Sequence, residues 1–173
     1  TKEERLQVSL ALKFAEKKHR GQFRQCGDPF ITHPIAVASI LASLQVDHRC
    51  IVAALLHDVI EDTDCSYQEL VNHFDDEIAK LVDGVTKIKR MPYRTYKESQ
   101  AETFRKMLMA TCKDIRVLII KLADRLHNIQ TIDVMSASHQ KRVAQETLSI
   151  YAPLAKRLGV HQLARSLEDR GFL

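Results

Sequence analysis

The stretch from Ile51 to Thr63, IVAALLHDVIEDT, constrains the fold more than any other: an apolar helical run carries an adjacent histidine and aspartate, His57 and Asp58, in its middle. Six apolar residues precede the pair, and Val59 and Ile60 follow it. The segment therefore reads as a buried helix, where an uncompensated carboxylate is destabilising. Two compensations are open: a histidine and an acid satisfied within the core, or a bound metal ion.

Other segments carry the donors that a metal would need. His33 precedes Pro34 in a turn-rich loop, and Asp124 follows the apolar run VLIIKLA, which repeats the anomaly of Asp58. Together these give two nitrogen and two oxygen donors from three separate segments, leaving positions for water and substrate as a catalytic site requires. Imidazole with carboxylate suits manganese, iron or zinc better than magnesium. Neighbours in a helix diverge by about 100°, so His57 and Asp58 are not expected to pair with one another, although both can reach an ion lying between them.

Glu61 and Asp62 lie one turn beyond the pair and line the same mouth. Acids at a helix C-terminus oppose its dipole, so proton handling is the functional reading and solvated surface acids the plain one. In KLADRLHN, Lys121 and Asn128 flank Asp124 on one helix face, where they can hold a substrate. Arg125 and His127 point to other sides and read as structural.

Helical periodicity runs through the whole chain. Leu6, Leu10, Leu12 and Phe14 mark a face of a helix from Lys2 to Arg20, and Gly21 is placed to end it. After the loop GQFRQCGDPFITHP, Thr32 is expected to cap a helix starting near Pro34, with His33 at the loop-to-helix junction. Ile35 to Leu44 follows, then the helix holding His57 and Asp58. Ser66 is placed to cap Tyr67 to Phe74, with Glu69 completing a capping box. Further helices are expected over Asp75 to Ile88, Glu98 to Cys112, Ile115 to Ile129, Gln140 to Leu158 with a kink at Pro153, and His161 to Asp169. The segment Lys89 to Lys97 is basic and reads as a loop. Lys87, Lys89, Arg90 and Arg94 form either a phosphate clamp or, on the plainer reading, a solvated surface. No strand pattern or repeat intervenes, so the fold class is all-α, a compact multi-helix domain.

A single domain of 173 residues suits this pattern, since 45% hydrophobic residues, only five glycines and four prolines argue for a packed core and against disorder. No stretch approaches a membrane span. A net charge of +4 with scattered bases favours a small anionic ligand over nucleic acid. Cys26, Cys50, Cys65 and Cys112 show neither CxxC spacing nor a disulfide framework, which reads as reduced and cytoplasmic. The absent initial methionine and the ending at Gly171-Phe172-Leu173 read as a piece of a longer protein.

The spacing His33, His57-Asp58, Asp124 resembles the signature of the HD superfamily of metal-dependent phosphohydrolases. More narrowly, HRGQFRQCGDPFITHP, AALLHDVIEDT, LVDGVTKI, AETFRKMLMA, IRVLIIKLADRLHN and ETLSIYAPLAKRLG resemble the RelA/SpoT family, in its long bifunctional form. The resemblance implies an HD-type hydrolase domain, with synthetase and regulatory domains beyond this chain. It implies manganese-dependent hydrolysis of guanosine 3′-diphosphate 5′-diphosphate (ppGpp) and its pentaphosphate relative to GDP or GTP plus pyrophosphate. It assigns the metal to His33, His57, Asp58 and Asp124, and water activation to Glu61 and Asp62. Arg24 falls at an arginine that packs on guanine, and Asn128 and Thr131 at pocket positions near the nucleoside. Gln25-Cys26 departs from the basic-then-serine dipeptide common after that arginine, which bears on affinity more than on chemistry. Another HD phosphohydrolase and a noncatalytic nucleotide sensor are the rival readings. The sequence assigns no oligomeric state.

Overall fold

The structure is a computed structural model that describes residues 1–89, 105, 109 and 113–172. The expected helix from Glu98 to Cys112 and the basic loop from Lys89 to Lys97, with Arg90 and Arg94, lie essentially outside the described residues. Among those described there are helices and turns but no strand, which matches the all-α expectation.

The first helices are α1 (Lys2–Lys18), α2 (Thr32–Ser43) and α3 (His48–Leu56). The short α4 (Val59–Asp62), α5 (Tyr67–His73) and α6 (Asp76–Lys89) follow. The long α7 (Ile115–Gln130) runs into a 3-10 turn at Ile132–Val134, and α8 (Ala137–Glu146) leads through a π-helical turn at Thr147–Tyr151 into α9 (Ala152–Arg157). The last helix is α10 (His161–Gly171). Helix α3 packs on α1, α2 and α6, and α7 packs on α2, α6 and α10. The two apolar runs therefore form the centre, with Val52, Leu56, Leu118 and Leu122 wholly buried.

Gly84 sets how closely α6 and α7 approach. A Cβ there would lie 2.8 Å from Val117 Cγ2, inside any normal contact.

Several expectations change in detail. Leu6 and Leu10 are exposed, and α1 turns Ala11 and Ala15 inward instead; small side chains allow close packing on α3 where leucines would hold the helices apart. Thr32 does not cap α2. Its hydroxyl donates to the Pro29 carbonyl at 2.8 Å, the helix begins at Thr32, and His33 stands in its first turn. Ser66 does cap α5 by accepting from Glu69 N at 3.1 Å. The Glu69 carboxylate turns to Lys18 Nζ at 3.0 Å, so an ion pair replaces the reciprocal half of the box. Near Pro153, which lacks the N–H that would close an α-turn, the irregularity is the widened turn just ahead of it.

Candidate active site

The apolar run does not stay one helix. It breaks at His57 and Asp58, between α3 and α4, and the His57 N–H makes a long 3.5 Å bond to Ala54 O, three residues back, in place of the usual four-residue step. This interruption lets two adjacent side chains converge, which an unbroken helix forbids. His57 Nε2 lies 3.1 Å from Asp58 Oδ2, contrary to the expectation from helical spacing.

Helices α2 and α7 bring the remaining donors. His33 Nε2 is 3.5 Å from Asp58 Oδ2 and 3.2 Å from Asp124 Oδ1, while His57 Nε2 is 3.9 Å from Asp124 Oδ1. All four side chains are buried. Ligand atoms of His33, His57 and Asp58 lie within 4.8 Å of one another, close enough to share one ion.

The donor chemistry fits a cation. His57 Nδ1 donates to Ala54 O at 2.7 Å, which fixes a proton on that nitrogen and makes Nε2 the atom whose lone pair a cation would take when the ring is neutral. Nε2 itself finds no hydrogen bond among the described residues, an orphaned buried atom that a cation would satisfy. Burial disfavours charge on this imidazole, yet the Asp58 and Asp124 carboxylates outweigh it and push its pKa up to about 9. A cluster that draws a proton so strongly without metal carries the negative field that a divalent cation would offset.

Asp124 is held from both sides. Lys121 Nζ lies 2.5 Å from its Oδ2, and Asn128 Nδ2 donates to Oδ1 at 2.6 Å. Burial alone would raise the Asp124 pKa, but the Lys121 ammonium beside it holds it well below the usual carboxylate range. Lys121 is itself buried, so its ammonium serves Asp124 directly.

Comparison with known proteins agrees with this geometry. The sequence model described as "HD domain" matches residues 11–161. The chain belongs to the HD domain family. It is 51% identical over 158 residues to the bifunctional (p)ppGpp synthase/hydrolase SpoT of Escherichia coli K12, covering 91% of this chain and 22% of that one. It is 48% identical over 166 residues to a guanosine-3′,5′-bis(diphosphate) 3′-pyrophosphohydrolase of Aquifex aeolicus, covering 96% and 23%. The HD domain thus spans about a fifth of the length of these relatives, and the resemblance to the RelA/SpoT family holds over nearly all of it. A solved structure described as a metazoan ortholog of SpoT that hydrolyzes ppGpp superposes with a TM-score of 0.65 at 28% identity, covering 95% of this chain and 85% of that one.

In the HD domain the other residues singled out from sequence lie on α4, in the loop after α1 and on α7. Glu61 is half-buried and Asp62 exposed on α4, one turn past Asp58. Gln22 Nε2 donates to the Asp62 carbonyl at 2.7 Å and anchors that end of α4 to the loop after α1. In the same loop Arg24 reaches across to α7, with Nη1 3.0 Å from His127 Nδ1 and Nη2 3.0 Å from Thr131 Oγ1. Arg125 faces away, 4.0 Å above the Tyr151 ring and paired with Glu146 at 2.7 Å.

His127 departs from its structural reading, because its Nδ1 lies 2.7 Å from His33 Nδ1. Burial, with His33 and Arg24 beside it, pushes its pKa down to about 4. The sequence held a signal for this: Asp124, His127, Asn128 and Thr131 follow the one-face spacing of a helix. No helix among the described residues is long and apolar enough to cross a membrane.

Proposed function

We propose that this HD domain hydrolyses ppGpp and pppGpp at the 3′ pyrophosphate, giving GDP or GTP and pyrophosphate, with manganese held by His33, His57, Asp58 and Asp124. The carrying observation is the buried meeting of two imidazoles and two carboxylates from three segments, with His57 Nε2 turned into the cluster and outside hydrogen-bonding geometry to any described residue. Identity near one half to proteins named as ppGpp hydrolases supports the substrate. When bound, a divalent cation would supply Lewis-acid activation of a water and would offset charge on the phosphate oxygens.

The chain's own residues do the rest. Glu61, with Asp62 beside it, takes a proton from the attacking water and returns one to the departing 3′ oxygen, so the P–O bond to the ribose breaks as the new P–O bond forms. Arg24, Asn128 and Thr131 border the position for the guanine nucleoside, and Lys121 keeps Asp124 ionised. Nucleic acid and membrane play no part in this reading. A cytoplasmic setting agrees with free thiols at Cys26, Cys50 and Cys65.

Substrate profiling with manganese tests the assignment. Pyrophosphate released from ppGpp, with deoxynucleoside triphosphates and cyclic nucleotides left intact, is the expected pattern. Turnover of those alternatives would favour another HD phosphohydrolase, and tight ppGpp binding without turnover a nucleotide sensor.

A further inference from the structure

We propose that Arg24 and His127 are positioning residues that decide which nitrogen of His33 carries its proton, and so keep the His33 Nε2 lone pair turned to the cation. The inference rests on the metal-dependent reading above. It gives a second role to an arginine that resemblance assigns to the guanine base alone.

The direction of each hydrogen bond follows from chemistry. A guanidinium can only donate. Arg24 Nη1 is 3.0 Å from His127 Nδ1, so that nitrogen is an acceptor and the ring proton of His127 lies on Nε2. The same Nδ1 is 2.7 Å from His33 Nδ1. Two lone pairs cannot bond, so the proton between the rings belongs to His33 Nδ1. A neutral imidazole protonated there has its lone pair on Nε2, the atom 3.2 Å from Asp124 Oδ1 and 3.5 Å from Asp58 Oδ2.

The two histidines thus reach the same tautomer by different means. His57 uses a backbone carbonyl, Ala54 O, which is always an acceptor. His33 faces a ring that can accept or donate at the contacting atom, and Arg24 removes that ambiguity. Arg24 is itself braced: Thr131 Oγ1 accepts from Nη2 while its hydroxyl donates to the His127 carbonyl at 3.1 Å. Its loop is closed by Arg24 N to Asp28 O at 2.8 Å and Gly27 N to Arg24 O at 2.9 Å.

The test is calorimetric titration of the metal-free, nucleotide-free chain with Mn2+ alone. Arg24→Leu and His127→Leu are expected to weaken binding by about tenfold or more, the usual effect of removing an outer partner of a ligating histidine. His127→Asn, which places an amide oxygen near the Nδ1 position, is expected to recover most of that loss, while His127→Gln, whose oxygen sits farther out, is not. Arg24 is only half-buried and its variant reports even where His127→Leu fails to fold. A folded Arg24→Leu chain that binds Mn2+ as tightly as wild type would overturn the relay and leave the hydrolase reading standing. Wild-type chain that binds no Mn2+ would overturn both.

Discussion

Lys121 Nζ lies 2.5 Å from Asp124 Oδ2, one turn earlier on α7, with both side chains buried. The ammonium thus keeps a carboxylate ionised where water cannot. Breaking a buried pair strands the remaining charge, at a cost of roughly 3–5 kcal/mol. Lys121→Met is therefore expected to lower the unfolding free energy of the metal-free chain by about that amount, measured with urea. Because Mn2+ would stand in for part of the lost charge, it should raise the Tm of this variant more than that of wild type. An unchanged urea midpoint would mean that Asp124 is compensated elsewhere.

The metal-free chain should also lose stability in mild alkali. His57 is raised from 6.5 to about 9 in the fold, so its contribution is fully present below 6.5 and is lost as pH rises through 9. The whole shift corresponds to at most about 3 kcal/mol. Urea midpoints after chelation should fall between pH 6.5 and 9.5. Over the same interval Mn2+ affinity should rise, because binding displaces the His57 proton less often as pH increases. A flat affinity profile would place that proton elsewhere. Asp124 acts in the opposite direction: its contribution is present above 3.8 and disappears as pH falls toward its depressed value.

Glu61→Gln separates proton handling from metal binding. The amide keeps the shape of the side chain but cannot accept a proton from water. Turnover is expected to fall by about 10²–10⁴-fold, with manganese content by elemental analysis unchanged. Loss of the metal in this variant would make Glu61 a ligand.

Gly84→Ala tests the contact between α6 and α7, the helix that carries Asp124. The added methyl meets Val117 at 2.8 Å and is expected to cost about 1–3 kcal/mol. Val117→Ala in the same chain should restore part of the loss, as read by thermal melts. Equal melting temperatures for Gly84→Ala and wild type would show that α6 and α7 can separate freely.

What the sequence made legible is concentrated where polarity and burial conflict. His57, Asp58 and Asp124 stand out because each interrupts an apolar run, and the structure brings them together with His33 from the first turn of α2. Periodicity alone hid the break between Leu56 and Val59, since an interrupted hydrogen-bond ladder leaves the apolar pattern intact. It also hid the outward turn of Leu6 and Leu10, which depends on how closely α3 approaches, and the widened turn at Thr147–Tyr151. His127 was readable only by asking which residues share the Asp124 face of α7, and its bond to His33 joins residues 94 apart in sequence.

The most direct test of the central claim is release of pyrophosphate from ppGpp with Mn2+, comparing wild type with His57→Ala. Steady release by wild type and its near abolition in the variant are expected, with both chains folded by circular dichroism. Manganese-loaded wild type that binds ppGpp but releases no pyrophosphate would contradict the account.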